Sequence, residues 1–293
     1  MEYKFHYHTK KNWINDPNGL CYFNGEFHIY YQYNPKGKRW GNICWGHATT
    51  KDFIKYEEHE VAITNDMPYD YDGVFSGNSI VIDDTIYAYY TSVKAYKQTQ
   101  SVATSKDGYH FTKCENNPII DTHFEARDPY VFKDNDNLYM LLGTQDKILL
   151  FKANNPFDFE YVGVLVETED FAECPNIVKI EDKYLLKYSS TLDRKDHFFL
   201  GNFINNKFEK EKEVFLPLPD NYYASQMFIH DGKVILIGWL IEDAQEGKEY
   251  TGLLSIPRIV YFENGVIKTK PVDEFEKHMF INTIVDNDIV EMF

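Results

Sequence analysis

Three acidic residues stand at matching places along this chain of 293 residues. Asp16, Asp128 and Glu173 each come at or just before the start of a strand–turn–strand segment, and Arg127 adjoins one of them. The corresponding places ahead of two further segments hold Phe75-Ser76 and Tyr223. Hydrolysis of a glycosidic bond needs one carboxylate ionised and another protonated, and a third can orient the substrate. A single Asp or Glu before a strand is an ordinary turn former. Three at equivalent places, one with an arginine beside it, fit that explanation poorly. The arginine would keep a neighbouring carboxylate ionised and bond sugar hydroxyls.

The elements that must position these residues form a repeat. Leu20 to Tyr33 turns at Asn24-Gly25, Asn78 to Thr91 at Asp83-Asp84, and Asp128 to Gly143 at 134–137. Pro175 to Tyr188 turns at Glu181-Asp182, and Ser225 to Trp239 at Asp231-Gly232. Each pairs β-rich runs across turn residues. The starts recur every 47 to 58 residues, close to the period of propeller blades. Further strand-like pieces lie between them: Cys44 to Thr50, Ser101 to Ser105, Ile148 to Lys152, His197 to Phe203 and Gly252 to Phe262. No stretch sustains an apolar stripe at helical spacing. The expected fold is therefore all-β, a five-bladed β-propeller of four-stranded antiparallel blades. A β-sandwich or irregular barrel is the alternative, with no reason to repeat a hairpin at this period.

The residues also resemble a known family. WINDPNG at 13–19, YQYNP at 31–35, WGN and CWGHA within 40–48, FSGN at 75–78, RDP at 127–129 and ECPN at 173–176 are similar to the signature blocks of glycoside hydrolase family 32. These are the β-fructofuranosidases, and the likeness runs in the family's order from about Trp13 to about Pro271. It implies a retaining hydrolase that removes terminal fructosyl units from sucrose, sucrose 6-phosphate or short fructo-oligosaccharides. Asp16 would be the nucleophile, Glu173 the general acid/base, and Asp128 the residue that holds the fructosyl hydroxyls and stabilises the transition state. Asn15, Gln32, Trp40, Phe75, Ser76, Arg127, Tyr223 and Trp239 would contact the substrate. Ile14, Asn78, Ala172 and Asn176 depart from the usual pattern, and Asn176 removes a charge close in sequence to Glu173. That departure motivates a rival reading, a fructoside-binding or regulatory protein with weak turnover. A different propeller glycosidase, such as an arabinanase, would share the carboxylates but not WINDPNG and ECP.

Composition narrows the partners. Thirty Lys and Arg against 46 Asp and Glu give a net charge of −16, which disfavours nucleic acid and anionic membranes. The longest apolar run, Val234 to Ile241, is far too short to span a bilayer. Aromatic residues make up 17 % of the chain, as suits strands and sugar-facing walls. Cys21, Cys44, Cys114 and Cys174 form no CxxC pair, and with no secretion signal in MEYKFHYHTKK a cytoplasmic location with reduced thiols is expected. His6, His8 and His47 lack the companions a metal site needs. The chemistry calls for no metal or cofactor; the expected partner is a small carbohydrate. Lys36, Lys38 and Arg39 form a basic run next to Trp40 that could read a sugar phosphate. The expected division is a catalytic propeller over 1–278 and a short tail over 279–293. TIVDNDIVEMF resembles a late strand of the family's C-terminal β-sandwich. The tail would pack on the flank such a sandwich covers, or that flank would meet a second copy of the chain.

Overall fold

The computed structural model describes residues 5–275 and 277. They form five sheets, one for each expected hairpin repeat. The first blade runs from its inner edge outward through Asn12–Phe23, Glu26–Asn34, Cys44–Thr50 and Tyr56–Glu58. The second comprises Gly73–Ile82, Thr85–Lys94, Lys97–Ser105 and Thr112–Lys113. Arg127–Asp134, Asn137–Gly143, Lys147–Asn155 and Asp158–Glu167 make the third, and Ala172–Ile180, Lys183–Ser190, Asp196–Ile204 and Lys207–Val214 the fourth. The fifth is Tyr222–His230, Lys233–Leu240, Arg258–Glu263 and Val266–Pro271. All neighbouring strands within this framework are antiparallel. Each inner strand touches the inner strand of the next blade, and the fifth touches the first, so the sheets close into a five-bladed propeller.

The turns follow from residue type. Asn24-Gly25 and Asp83-Asp84 both have positive φ at the two central positions, as a two-residue hairpin loop demands. The expected strand Gly252 to Phe262 is instead split into Leu253–Leu254 and Arg258–Glu263, on either side of Pro257. Tyr250 and Thr251 pair in parallel with Asn12 and Trp13, and the Asn12 N–H donates to Glu249 O at 2.7 Å, tying the first blade to the fifth. Apolar side chains fill the spaces between blades. Leu141, Leu150, Ile177, Leu186, Met227 and Leu236 belong to one core spanning the third to fifth blades, and Leu20, Ile29, Phe27, Phe228 and Ile237 join the fifth to the first. Each such side chain contributes about 1.5–3 kcal/mol on burial. His28 and His47 are buried and stacked in the first blade with Nδ1 and Nε2 3.0 Å apart, and the His59 ring lies tilted 4.8 Å from His47. His6 bonds Leu254 O, and His8 stacks on Tyr250. The expectation for 279–293 lies outside the described residues.

One irregularity repeats in every blade. Near the start of each inner strand, two residues stand opposite a single residue of the second strand: Asn15-Asp16, Phe75-Ser76, Asp128-Pro129, Cys174-Pro175 and Ala224-Ser225. These are β-bulges, which re-aim side chains at the end of a sheet. In the last three blades the first bulge residue is left-handed, with φ of 62° at Asp128, 46° at Cys174 and 50° at Ala224. Side chains with a Cβ adopt that conformation at a cost, which the surrounding ladder sustains.

Candidate active site

The bulged ends converge on a cavity of about 500 Å³. Asn15, Asp16, Gln32, Trp40, Phe75, Ser76, Arg127, Asp128, Glu173, Tyr223 and Trp239, the site residues expected from sequence, all line it. Trp13, Gln98, Glu125 and Arg194 complete the wall. Their place could have been read from topology. In a blade the connection from second to third strand returns to the mouth where the inner strand begins. Arg194 lies on that connection in the fourth blade, and Gln98 is the second residue of the third strand of the second.

The ladder refines the expected equivalence of the three carboxylates. Glu173 is still paired, opposite Ser189, whereas Asp16 and Asp128 fall inside their bulges. Asp16 receives the Ser76 hydroxyl on Oδ2 at 2.5 Å and the Asn15 amide on Oδ1 at 2.9 Å. Trp13 Nε1 donates to Asn15 Oδ1 at 2.7 Å, which fixes the amide so that its N–H faces the carboxylate. The Phe75-Ser76 bulge is held in turn by Trp45 Nε1 donating to Phe75 O and by Gln32 Nε2 donating to Val74 O. Burial raises the pKa of Asp16; the two hydrogen bonds from Ser76 and Asn15 oppose it, and the nearby Glu173 charge adds to it.

Asp128 is buried. Its N–H donates to Thr91 Oγ1, the residue opposite the second-blade bulge, and its Oδ2 accepts the Cys174 N–H at 2.8 Å. The Cys174 thiol lies 3.6 Å from Oδ2 of both Asp16 and Asp128 and stays protonated, because burial and these carboxylates push its pKa up. Asp128 itself is raised to about 7, chiefly by burial; Arg127 opposes this, while Glu173 and Asp16 reinforce it.

Glu173 has a different setting. Arg127 donates to its Oε1 at 2.9 Å and also binds Glu125 at 2.6 Å, with the guanidinium 3.6 Å above the Phe171 ring. The Tyr223 hydroxyl lies 2.5 Å from Oε2 and 3.1 Å from Ser190 O. Glycine is required behind this group, since a Cβ on Gly143 would meet Ala172 O at 1.7 Å. Below the bulge, the fully buried Lys187 donates to Ser225 O and Ser189 Oγ at 2.7 Å and lies 3.3 Å from Asp196, whose Oδ2 accepts the Ser225 N–H. This pair joins the fourth and fifth bulges. Asn176, the departure in ECPN, donates to Cys174 O and accepts the Met227 N–H at 2.6 Å, bridging the same two blades. An amide serves as donor and acceptor at once, which an ionised carboxylate does not.

The basic run next to Trp40 meets the cavity only through Trp40. Lys36 Nζ donates to Asn42 Oδ1 and Lys38 Nζ to Lys248 O, both at 2.9 Å, and neither lines the pocket.

Known proteins share this architecture. Residues 6–271 match the glycosyl hydrolases family 32 N-terminal domain. The sucrose-6-phosphate hydrolases of Escherichia coli and Zymomonas mobilis are 28% and 30% identical to the chain; each match takes in 93% of it and 65% and 62% of the relative. The chain thus spans just under two thirds of the length of these curated relatives. Among solved structures, a Bombyx mori family 32 β-fructofuranosidase variant in complex with sucrose superimposes with a TM-score of 0.83 at 25% identity, over 94% of this chain and 66% of that one. A Schwanniomyces occidentalis fructofuranosidase complexed with fructose gives 0.80 at 28% identity, over 92% and 62%. With the match extending over nearly all the described strands, the chain belongs to glycosyl hydrolases family 32.

Proposed function

We propose that the chain is a retaining β-fructofuranosidase that removes terminal β-D-fructofuranosyl residues from sucrose, sucrose 6-phosphate or short fructo-oligosaccharides. The observation that carries this reading is the meeting of three carboxylates in one cavity with unlike surroundings. Asp16 is served by three neutral donors, Ser76, Asn15 and the Cys174 thiol, and by no cation, an arrangement that leaves an ionised oxygen able to attack. Glu173 is held by Arg127 and Tyr223 at the cavity wall.

In the first step Asp16 attacks the anomeric carbon of the fructosyl unit, while the Glu173 proton passes to the departing glycosidic oxygen. The positive charge that develops is shared with the ring oxygen and stabilised by the adjacent carboxylates. Asp128 accepts hydrogen bonds from ring hydroxyls. In the second step ionised Glu173 takes a proton from water, whose oxygen attacks the fructosyl ester and releases Asp16. Tyr223 suits both protonation states. Its O–H donates to Glu173 when the carboxylate is ionised, and to Ser190 O when Glu173 carries the proton. The rival reading as a binding protein drew on Asn176, but that residue bonds backbone atoms of two blades. The four unpaired cysteines among the described residues suit a reducing compartment such as the cytoplasm.

The test is release of fructose from sucrose and 1-kestose. Methanol as acceptor should give methyl β-fructofuranoside, the mark of retention. Asp16→Ala and Glu173→Ala should each lose about 10³-fold or more in kcat while remaining folded. On an aryl fructoside, whose leaving group needs no acid, azide should restore Glu173→Ala and not Asp16→Ala. Rescue of the Asp16 variant alone reverses the two roles, and an inactive wild-type chain refutes the hydrolase.

A further inference from the structure

Two arginines line the cavity, and they are in opposite situations. Arg127 is engaged by Glu125, Glu173 and the face of Phe171. Arg194 rests its guanidinium 4.1 Å over the Tyr223 ring, and among the described residues that guanidinium has no hydrogen bond or ion pair. Its neighbour Lys195 pairs with Asp220 at 3.6 Å. Stacking fixes the plane of the fork while leaving its N–H donors free at the edge, the geometry that suits a planar, bidentate grip on an oxyanion. The position adds direction. Tyr223 is the residue whose hydroxyl bonds Glu173, so Arg194 sits one aromatic ring away from the proposed acid. The group that Glu173 protonates is the leaving sugar, and Arg194 therefore stands on the leaving-group side.

We infer that Arg194 reads a phosphoryl group on the leaving sugar and sets the preference of this site for a phosphorylated disaccharide over the plain one. The inference rests on the fructosidase reading above. A cavity containing Asp16, Asp128, Glu173 and Glu125 repels a dianion. A phosphorylated substrate needs a cation on the side where its phosphate lies, and Arg127 is already committed to two carboxylates. The basic run at Lys36 and Lys38, the expectation from sequence, directs its ammonium groups at Asn42 and a backbone carbonyl instead.

The experiment compares kcat/KM for sucrose 6-phosphate and sucrose in the full chain, in Arg194→Gln and in Arg194→Lys, with thermal unfolding to verify each variant's fold. Arg194→Gln should lower the ratio of the two constants about 10- to 100-fold, the worth of one or two charge-assisted hydrogen bonds. Most of the loss should lie in KM, and Arg194→Lys should recover part of it as a point charge. As product inhibitors, glucose 6-phosphate should weaken in Arg194→Gln and fructose 6-phosphate should not. A ratio within twofold of wild type overturns the inference, as does an equal loss of the ratio in Lys36→Gln/Lys38→Gln with none in Arg194→Gln. Cleavage of neither substrate refutes the fructosidase reading separately. Direct calorimetric binding of glucose 6-phosphate then decides the inference, and equal affinity in wild type and Arg194→Gln overturns it.

Discussion

Replacing Ser76 by alanine removes the shortest hydrogen bond to the proposed nucleophile and touches neither of the other two carboxylates. The Ser76 hydroxyl donates to Asp16 Oδ2 at 2.5 Å, and this bond favours the ionised form. Burial already raises the pKa of Asp16, and Ser76 is the foremost group holding it down. A hydrogen bond to a charged group is worth about 1.5–3 kcal/mol. One pH unit corresponds to about 1.4 kcal/mol, so in Ser76→Ala the acidic limb set by Asp16 should be displaced by about one to two pH units. The sign is fixed: protonating Asp16 stops the attack, so the acidic limb of the rate profile moves to higher pH. The assay is kcat/KM for sucrose across pH 3.5 to 8, which reports groups of the free enzyme. Asp128, raised to about 7, is the other group able to shape that limb. Ser76 bonds Asp16 and not Asp128, so a shifted limb assigns it to Asp16. A limb that stays in place, or moves to lower pH, refutes the reasoning.

Two further outcomes concern the scaffold. Lys187→Met strands the buried Asp196 carboxylate and should cost about 3–5 kcal/mol in urea unfolding, more than half of which Lys187→Met/Asp196→Asn should restore; a single-variant cost under about 1 kcal/mol would show that the contact is not an ion pair of consequence. Burial lowers His28 and takes His47 down to about 2, so His47 stays neutral in the fold while the unfolded chain protonates it below about pH 6.5, and its contribution to stability should fall with pH from there. Asp128 acts in the opposite sense, gaining protons in the fold as pH drops through 7, but equally with or without His47. His47→Gln should therefore flatten the stability slope between pH 6 and 4 by about 1.4 kcal/mol per pH unit, and an unchanged slope would remove His47 from the account.

The hairpins were legible because their turns are local: Asn24-Gly25 and Asp83-Asp84 need positive φ that few residue pairs supply, and the chain announces them in two letters each. The site was legible in its members, which recur at the period of those hairpins or match the family's motifs. Its fine placement was not. A bulge slips one strand by a residue without changing the alternation on either side of it, so Asp16, Asp128 and Glu173 read as equivalent although the ladder separates them. Pro17, Pro129 and Pro175, unable to donate to a ladder, were the available signal. Arg194 and Gln98 escaped because they sit near the return from second to third strand, which meets the inner-strand ends only in three dimensions.

The bulges also explain why so costly a backbone persists at these positions. An unbroken inner strand would direct its N–H groups into the ladder. At Cys174 the left-handed turn frees the N–H to reach Asp128 Oδ2 in the neighbouring blade, and the same step sets the thiol against Asp16. One strained residue of the fourth blade thereby touches the carboxylates of the first and third. The Lys187–Asp196 pair and Asn176 hold that residue's carbonyl and the adjoining fifth-blade bulge from below. The strain and its restraint are thus parts of one arrangement: the buried contacts fix the bulges, and the bulges fix the distances among the three acids on which the proposed chemistry depends.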